Sequence, residues 1–196
     1  MHGYLLIKKE AVRSNELLAG RTVIVHLLAA SVGAVAELIM MRVRLHLGLP
    51  GHKALFWIAP LVLLRLVSGR KAEATAGVLG ASAMGMVAGG NFLTGLPQLP
   101  VLLMAGGILD SVCAWVRKRD LSWLATILLV SLAGIAANLL YLMRRWPIPL
   151  GGRAPWFELC CYALFGFLAG LLGGIVAFGI TTARRRMAAS GSSSVQ

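Results

Sequence analysis

The chain has 196 residues, 58% of them hydrophobic and 13% charged, and a mean hydropathy of +0.81. That is too apolar for a water-soluble globular domain, so the composition predicts a protein that lives in a bilayer. Nineteen Lys and Arg against seven Asp and Glu give a formal charge of +12. These basic residues bunch between apolar runs, which is the pattern of membrane topology signals and excludes a soluble nucleic-acid-binding protein.

At about 20 residues per transmembrane helix the length accommodates six spans with short connections and leaves no room for a large extramembrane catalytic domain. A basic arm, residues 1–21, carries Lys8, Lys9, Arg13 and Arg21 and precedes the first apolar run, Thr22 to Met41. Ala34-Val35-Ala36 resembles a signal-peptide cleavage site, but the apolar run continues past it, so the segment reads as a membrane helix. The second span is Ala54 to Gly69, interrupted by Pro60, and Arg70-Lys71 separates it from the third, Ala72 to Gly90. A polar connection, Asn91 to Pro97, leads into the fourth, Gln98 to Val116, and Arg117 to Asp120 into the fifth, Leu121 to Met143. The Pro-, Arg- and Gly-rich stretch Arg144 to Trp156 reads as a loop before the sixth span, Phe157 to Ile180. Residues 22–183 are thus expected to form one all-α, six-helix transmembrane domain, and the basic, Ser-rich tail 184–196 is expected to be disordered.

With the N-terminus inside, the cytoplasmic segments hold twelve Lys and Arg and the external loops six. This predicts a multi-pass cell-membrane protein, in a bacterium the inner membrane, with both termini cytoplasmic. The six external basic residues are more than topology asks for.

Small residues let membrane helices approach closely. Gly77, Ala81, Gly85 and Gly89 recur every fourth residue in the third span, Gly166, Gly170 and Gly174 in the sixth, and Ala30 and Ala34 pair in the first. These faces are expected either to pack within the bundle or to receive another membrane subunit.

Under this topology Glu37, Asn91, Asn138 and Glu158 converge near the outer surface. The external loops add Arg42, Arg44, His46, His52, Lys53, Arg144, Arg145 and Arg153, with Trp57, Trp146 and Trp156 around them. Ionisable groups in a span are costly, and a polar and aromatic cluster is the make-up of a small-molecule pocket. The candidate substrate-binding residues are therefore Glu37, Arg42, Arg44, His46, His52, Asn91, Asn138, Arg145 and Glu158. The excess of guanidinium groups favours an anionic ligand bearing carboxylate or phosphate. The alternative reading is an interfacial aromatic belt with arginines on lipid phosphates.

Arg65 lies close enough to the cytoplasmic side to snorkel, and Asp110 is deeper in the fourth span, within reach of Arg65 or His26. His46 and His52 lack a Cys or carboxylate partner pattern, and Cys113, Cys160 and Cys161 read as small core residues, so no metal is expected. HExxH, GxSxG, GxxxxGK[ST] and paired aspartates are missing, so neither an enzyme nor a cofactor is expected.

Six short spans, cytoplasmic termini, the Ala30-x-x-x-Ala34 pair and an outward polar site resemble the substrate-binding S component of energy-coupling factor (ECF) transporters. The stretch Leu64 to Gly90, with its Gly69-Arg70-Lys71 turn, is similar to the second and third helices of the vitamin-type members. The resemblance implies a subunit without ATPase activity that captures a micronutrient outside. It would dock through Ala30 and Ala34 onto a transmembrane coupling subunit served by two ATPases. The cobalt and nickel branch uses an N-terminal Met-His in metal binding. Met1-His2 is expected here on the cytoplasmic side, behind the basic arm, so that role is not carried over. A self-sufficient secondary transporter or channel, or a noncatalytic scaffold or assembly subunit, are the alternatives.

Overall fold

The computed structural model describes the backbone of residues 2–42, 49–88, 99–143 and 155–192, and the side chains among these from 20 to 190. The described residues form helices and no strand: α1 His2–Arg42, α2 Ala54–Ser68, α3 Glu73–Ala88, α4 Leu99–Lys118, α5 Trp123–Met143 and α6 Pro155–Ser192. The expected all-α architecture is met. Among the described residues four stretches are long and apolar enough to cross a membrane: Gly20–Arg42, Leu99–Lys118, Trp123–Met143 and Pro155–Ser190. The chain is accordingly a membrane protein. Helices α2 and α3, with 15 and 16 residues, are shorter.

Two boundaries differ from expectation. Helix α1 runs unbroken through the basic arm, and α6 continues through Arg184–Arg186 to Ser192. Neither extension contains proline, and good helix formers dominate both, Leu, Lys, Glu and Ala in the first and Arg, Met and Ala in the second, so the helical ladder can propagate beyond the apolar segment.

Helix α2 lies at the centre, in contact with each of the other five. Around it α1 packs on α3, α3 on α4, α4 on α5 and α5 on α6. Ile58, Leu61 and Val62 of α2 are almost completely buried, against Val78 of α3, Leu109 of α4 and Val130 of α5. Position explains composition. A helix surrounded by other helices is apolar all round and needs no lipid-facing length.

Two seams are closed by missing side chains. Gly134 of α5 and Gly166 of α6 sit backbone to backbone, so a Cβ on either would collide with the carbonyl oxygen of the other. At the α1–α3 seam Gly33 lies against Gly77, and Gly80 against the backbone of Ala30. The small-residue faces read from the spacing are therefore used within the bundle, and Ala30 is engaged on α3. The lipid-side surface keeps large apolar groups, among them Ile24, Leu27, Leu132 and Leu172.

The α2–α3 turn reverses the chain over Gly69–Ala72. Gly69 has φ +69° and closes α2 by donating its N–H to Arg65 O at 3.2 Å. Glycine takes this left-handed cap without a Cβ penalty. A Cβ there would also strike the guanidinium of Arg117, whose Nη1 donates to Gly69 O at 2.6 Å.

Candidate functional site

Polar groups gather at both ends of the bundle. At one end, here the basic end, are the α2–α3 turn, the turn after α4 and Arg184–Arg186. Arg65, 3% exposed, projects from the last turn of α2 and sets its Nε 2.9 Å from Oδ1 of Asp110, which is 12% exposed. This is a charge contact off the N–H axis, since Nε has no aligned hydrogen-bond acceptor among the described residues. The aspartate is engaged elsewhere as well. Oδ1 accepts from Ala74 N (3.2 Å), and Oδ2 from Thr75 N (2.9 Å) and Thr75 Oγ1 (2.7 Å). Asp110 thus caps the first turn of α3 from a different helix, where free N–H groups and the helix dipole favour an anion.

Glu73, the first residue of α3, is completely buried beside this pair. Its Oε2 accepts from the Ser68 hydroxyl, while Oε1 has no partner among the described residues. His26 of α1 joins the same layer: Nδ1 faces Thr22 O at 2.8 Å and Nε2 faces Lys71 O at 2.9 Å. The ring thus stands between the backbone of α1 and that of the α2–α3 turn. Arg70 Nη1 donates to Thr22 Oγ1 at 3.1 Å. Apart from Ser68–Glu73, within the α2–α3 connection, and His26–Thr22, within α1, these contacts tie the α2–α3 turn and the helix ends beside it to α1 or α4. The basic end is therefore a knot of ionic and capping contacts with a structural purpose, and of the two partners open to Asp110 the structure selects Arg65.

At the opposite end the segment 49–53 enters α2. Asn138 of α5, 1% exposed, donates from Nδ2 to Gly51 O (3.3 Å) and Tyr162 O (2.8 Å). One amide group thereby holds the entry to α2 against α6. Its Oδ1 is buried with no hydrogen-bond partner among the described residues, and so is Nε1 of Trp57 in the first turns of α2. The Trp57 ring packs on Tyr141, one turn from Asn138, with centroids 5.8 Å apart. An unmatched donor and an unmatched acceptor are therefore buried in one layer of the same helix packing. Each costs about 1–3 kcal/mol if left so, which makes this layer receptive to a polar guest.

No protein-family model, curated protein or solved structure matches the chain.

Of the residues singled out in the sequence, Glu37 lies beside Gly85 of α3. Arg42 is exposed at the end of α1, and Glu158 is buried in the first turn of α6. His52 points Nδ1 at Leu49 O (2.5 Å) and meets the Phe165 ring edge-on at 6.4 Å. The structure thus brings Asn138 and His52 into the layer where α2, α5 and α6 meet, whereas Glu37 stands on the α1–α3 side. Arg44, His46, Asn91 and Arg145 lie outside the described residues, as do Arg144, Trp146 and Arg153. Ala34, like Ala30, is half-buried.

Glu73 and Trp57 Nε1 are what sequence reasoning missed. Glu73 carried a signal, an acidic residue opening an apolar helix, which is where the dipole favours it. Trp57 read only as an interfacial aromatic, because nothing in the sequence tells whether an indole N–H is wet or buried. No group of three or more potential metal-ligating residues is assembled among the described residues.

Proposed function

We infer that the chain is a membrane-embedded substrate-capture subunit of a small-molecule uptake transporter, binding a small anionic ligand at the end of the bundle opposite the basic end. The observation that carries the reading is the buried pair of unmatched polar atoms, Trp57 Nε1 and Asn138 Oδ1. Together they offer one donor and one acceptor to a ligand that presents the reverse, in a setting dry enough for each bond to count. Glu158 and His52 border the same region, and the cationic Arg42 and Lys53 stand exposed at that end.

In this reading all six helices cross the membrane, the short α2 doing so within a sheath of protein. The basic end faces the cytoplasm, as the distribution of Lys and Arg favours. Between the two polar ends the described core is aliphatic, with Ile58, Leu61, Val62, Val78, Leu109 and Val130 in the middle. That favours a capture subunit over a self-sufficient transporter, which would need polar groups along the path. Energy would come from a coupling subunit and separate ATPases, with the exposed apolar side of α1 beside the half-buried Ala34, where Leu27, Leu28 and Val35 face outward, as the docking face.

The test is purification of the full chain in mild detergent, with mass spectrometry of small molecules released on denaturation. A single anionic compound retained by the wild type, and lost in Trp57→Phe while the melting temperature holds, supports capture. No retained compound, or equal retention in the variant, sinks it. Copurification of ATPase subunits with the wild type, lost on widening Ala34 to Leu, supports the docking half of the reading, and its absence removes that half.

A further inference from the structure

At the basic end, on the side away from the Arg65–Asp110 pair, α2, α5 and α6 leave a cleft of about 380 Å³. Its walls change character along its length. Leu66 of α2, Ile127 of α5 and Ala177 of α6 make an apolar interior, whereas Asp120, Thr182 and Arg185 line the outer part. Trp123 and Phe178 stack beside it, ring centroids 4.5 Å apart at 21°, an aromatic pair of the kind enriched where a bilayer turns from hydrocarbon to headgroups. Of the three consecutive arginines in α6, Arg185 is the one that lines the cleft, because Phe178, Thr181, Thr182 and Arg185 share one helical face. Neither Arg185 nor Asp120 has an ionic partner among the described residues.

We propose that this cleft seats the headgroup of a zwitterionic glycerophospholipid carrying a primary ammonium group, its phosphate on Arg185, its ammonium on Asp120 and the start of one acyl chain on Leu66 and Ala177. The cleft is far too small for a whole lipid and is apolar on its inner side. An amphiphile delivered from the bilayer fits both facts better than a free solute. A guanidinium on one side recognises phosphate, and a carboxylate on the other selects a cation with N–H donors. An anionic lipid would meet Asp120 unfavourably, and a choline lipid would bring no N–H to it. This inference is independent of ligand capture at the opposite end.

Native mass spectrometry of the full-length protein, released from micelles doped with equal amounts of phosphatidylethanolamine, phosphatidylcholine and phosphatidylglycerol, tests it. The wild type is expected to hold one phosphatidylethanolamine in preference to the others. Loss of one charge-assisted contact is expected to lower retention about tenfold in Arg185→Gln, with Arg184→Gln and Arg186→Gln near wild type. Asp120→Asn should erase the preference over phosphatidylcholine while keeping binding, and Thr182→Trp should block the cleft. Equal loss in the three arginine variants would mean nonspecific attraction to a basic helix end and would overturn the proposal. Preference for phosphatidylglycerol, undiminished binding in Thr182→Trp, or full displacement by soluble phosphoethanolamine would overturn it too.

Discussion

Asp110 Oδ1 stands 2.9 Å from Arg65 Nε, and the same carboxylate receives two N–H groups in the first turn of α3, those of Ala74 and Thr75. One side chain on α4 thus neutralises a buried cation on α2 and caps α3, holding three helices at one depth. Asp110→Ala should cost about 3–5 kcal/mol, since it strands a buried guanidinium and uncaps a helix. The loss should be visible as a large drop in melting temperature in detergent. The double variant Arg65→Met, Asp110→Ala should recover part of it, because no unpaired charge remains. A single-variant loss below about 1 kcal/mol would mean that the pair is solvated.

The α5–α6 seam makes a sharper prediction. Gly166→Leu forces a side chain into the Gly134 carbonyl, and since backbone atoms cannot move aside cheaply the helices must separate. Size-exclusion chromatography should show aggregated or unfolded protein. Gly107→Ala provides the contrast: no atom lies within 4 Å of a Cβ there, so it should be neutral or stabilise by up to about 1 kcal/mol. Equal tolerance of both would show that the seam is not this tight.

Gly69 is demanded by conformation and by space. With φ at +69° and Arg117 lying where a Cβ would be, Gly69→Ala should destabilise by at least about 1 kcal/mol. Arg117→Ala alone removes one charge-assisted hydrogen bond, worth about 1.5–3 kcal/mol at most and less at an exposed site. Thermal melts of the two single variants and the double variant would test this. If the Arg117→Ala background relieves most of the Gly69→Ala penalty, the clash dominates; if it relieves none, the backbone conformation does.

Asn138→Leu keeps the branching and heavy-atom count of the side chain and removes the amide that holds Gly51 O and Tyr162 O. A buried and a part-buried carbonyl lose their donor, so about 1–3 kcal/mol should go. The α2 entry should loosen before the rest of the bundle. Hydrogen exchange read by mass spectrometry should rise first in peptides covering residues 49–56, with the basic end unchanged. Uniform acceleration along the chain would contradict a local clamp.

Orientation can be read with single cysteines in a background lacking Cys113, Cys160 and Cys161. Lys53→Cys, exposed at one end, should react with a membrane-impermeant maleimide in intact cells. Lys71→Cys, exposed at the other, should react only after permeabilisation. The reverse pattern would invert the topology.

Much of this architecture was legible because the bilayer makes composition decisive. A continuous apolar run such as Trp123–Met143 lacks the alternation of a barrel strand and satisfies its backbone in hydrocarbon as a helix, so the apolar part of each helix follows from hydropathy, whereas the polar extensions of α1 and α6 do not. Gly166, Gly170 and Gly174 likewise announced a close seam, because only small side chains permit one. What the spacing could not say was whose backbone would fill it, and the answer is Gly134 and its neighbours on α5. At the charged residues the limit was sharper. Sequence put Arg65, Asp110 and His26 at similar depth, but pairing depends on the direction in which each side chain leaves its helix, and that is fixed only when α2 is surrounded by its five neighbours. The same holds for Glu73, buried by helices distant in the chain, and for Trp57 and Asn138, whose unmatched atoms exist only because packing excludes water from both. By itself, then, the sequence determined that this is a helical membrane protein with basic ends and close helix seams, since hydrocarbon leaves the backbone no other solution. Which polar groups satisfy one another, and which are left facing a guest, was decided by tertiary packing, because burial and direction are properties of the assembled bundle rather than of any one helix.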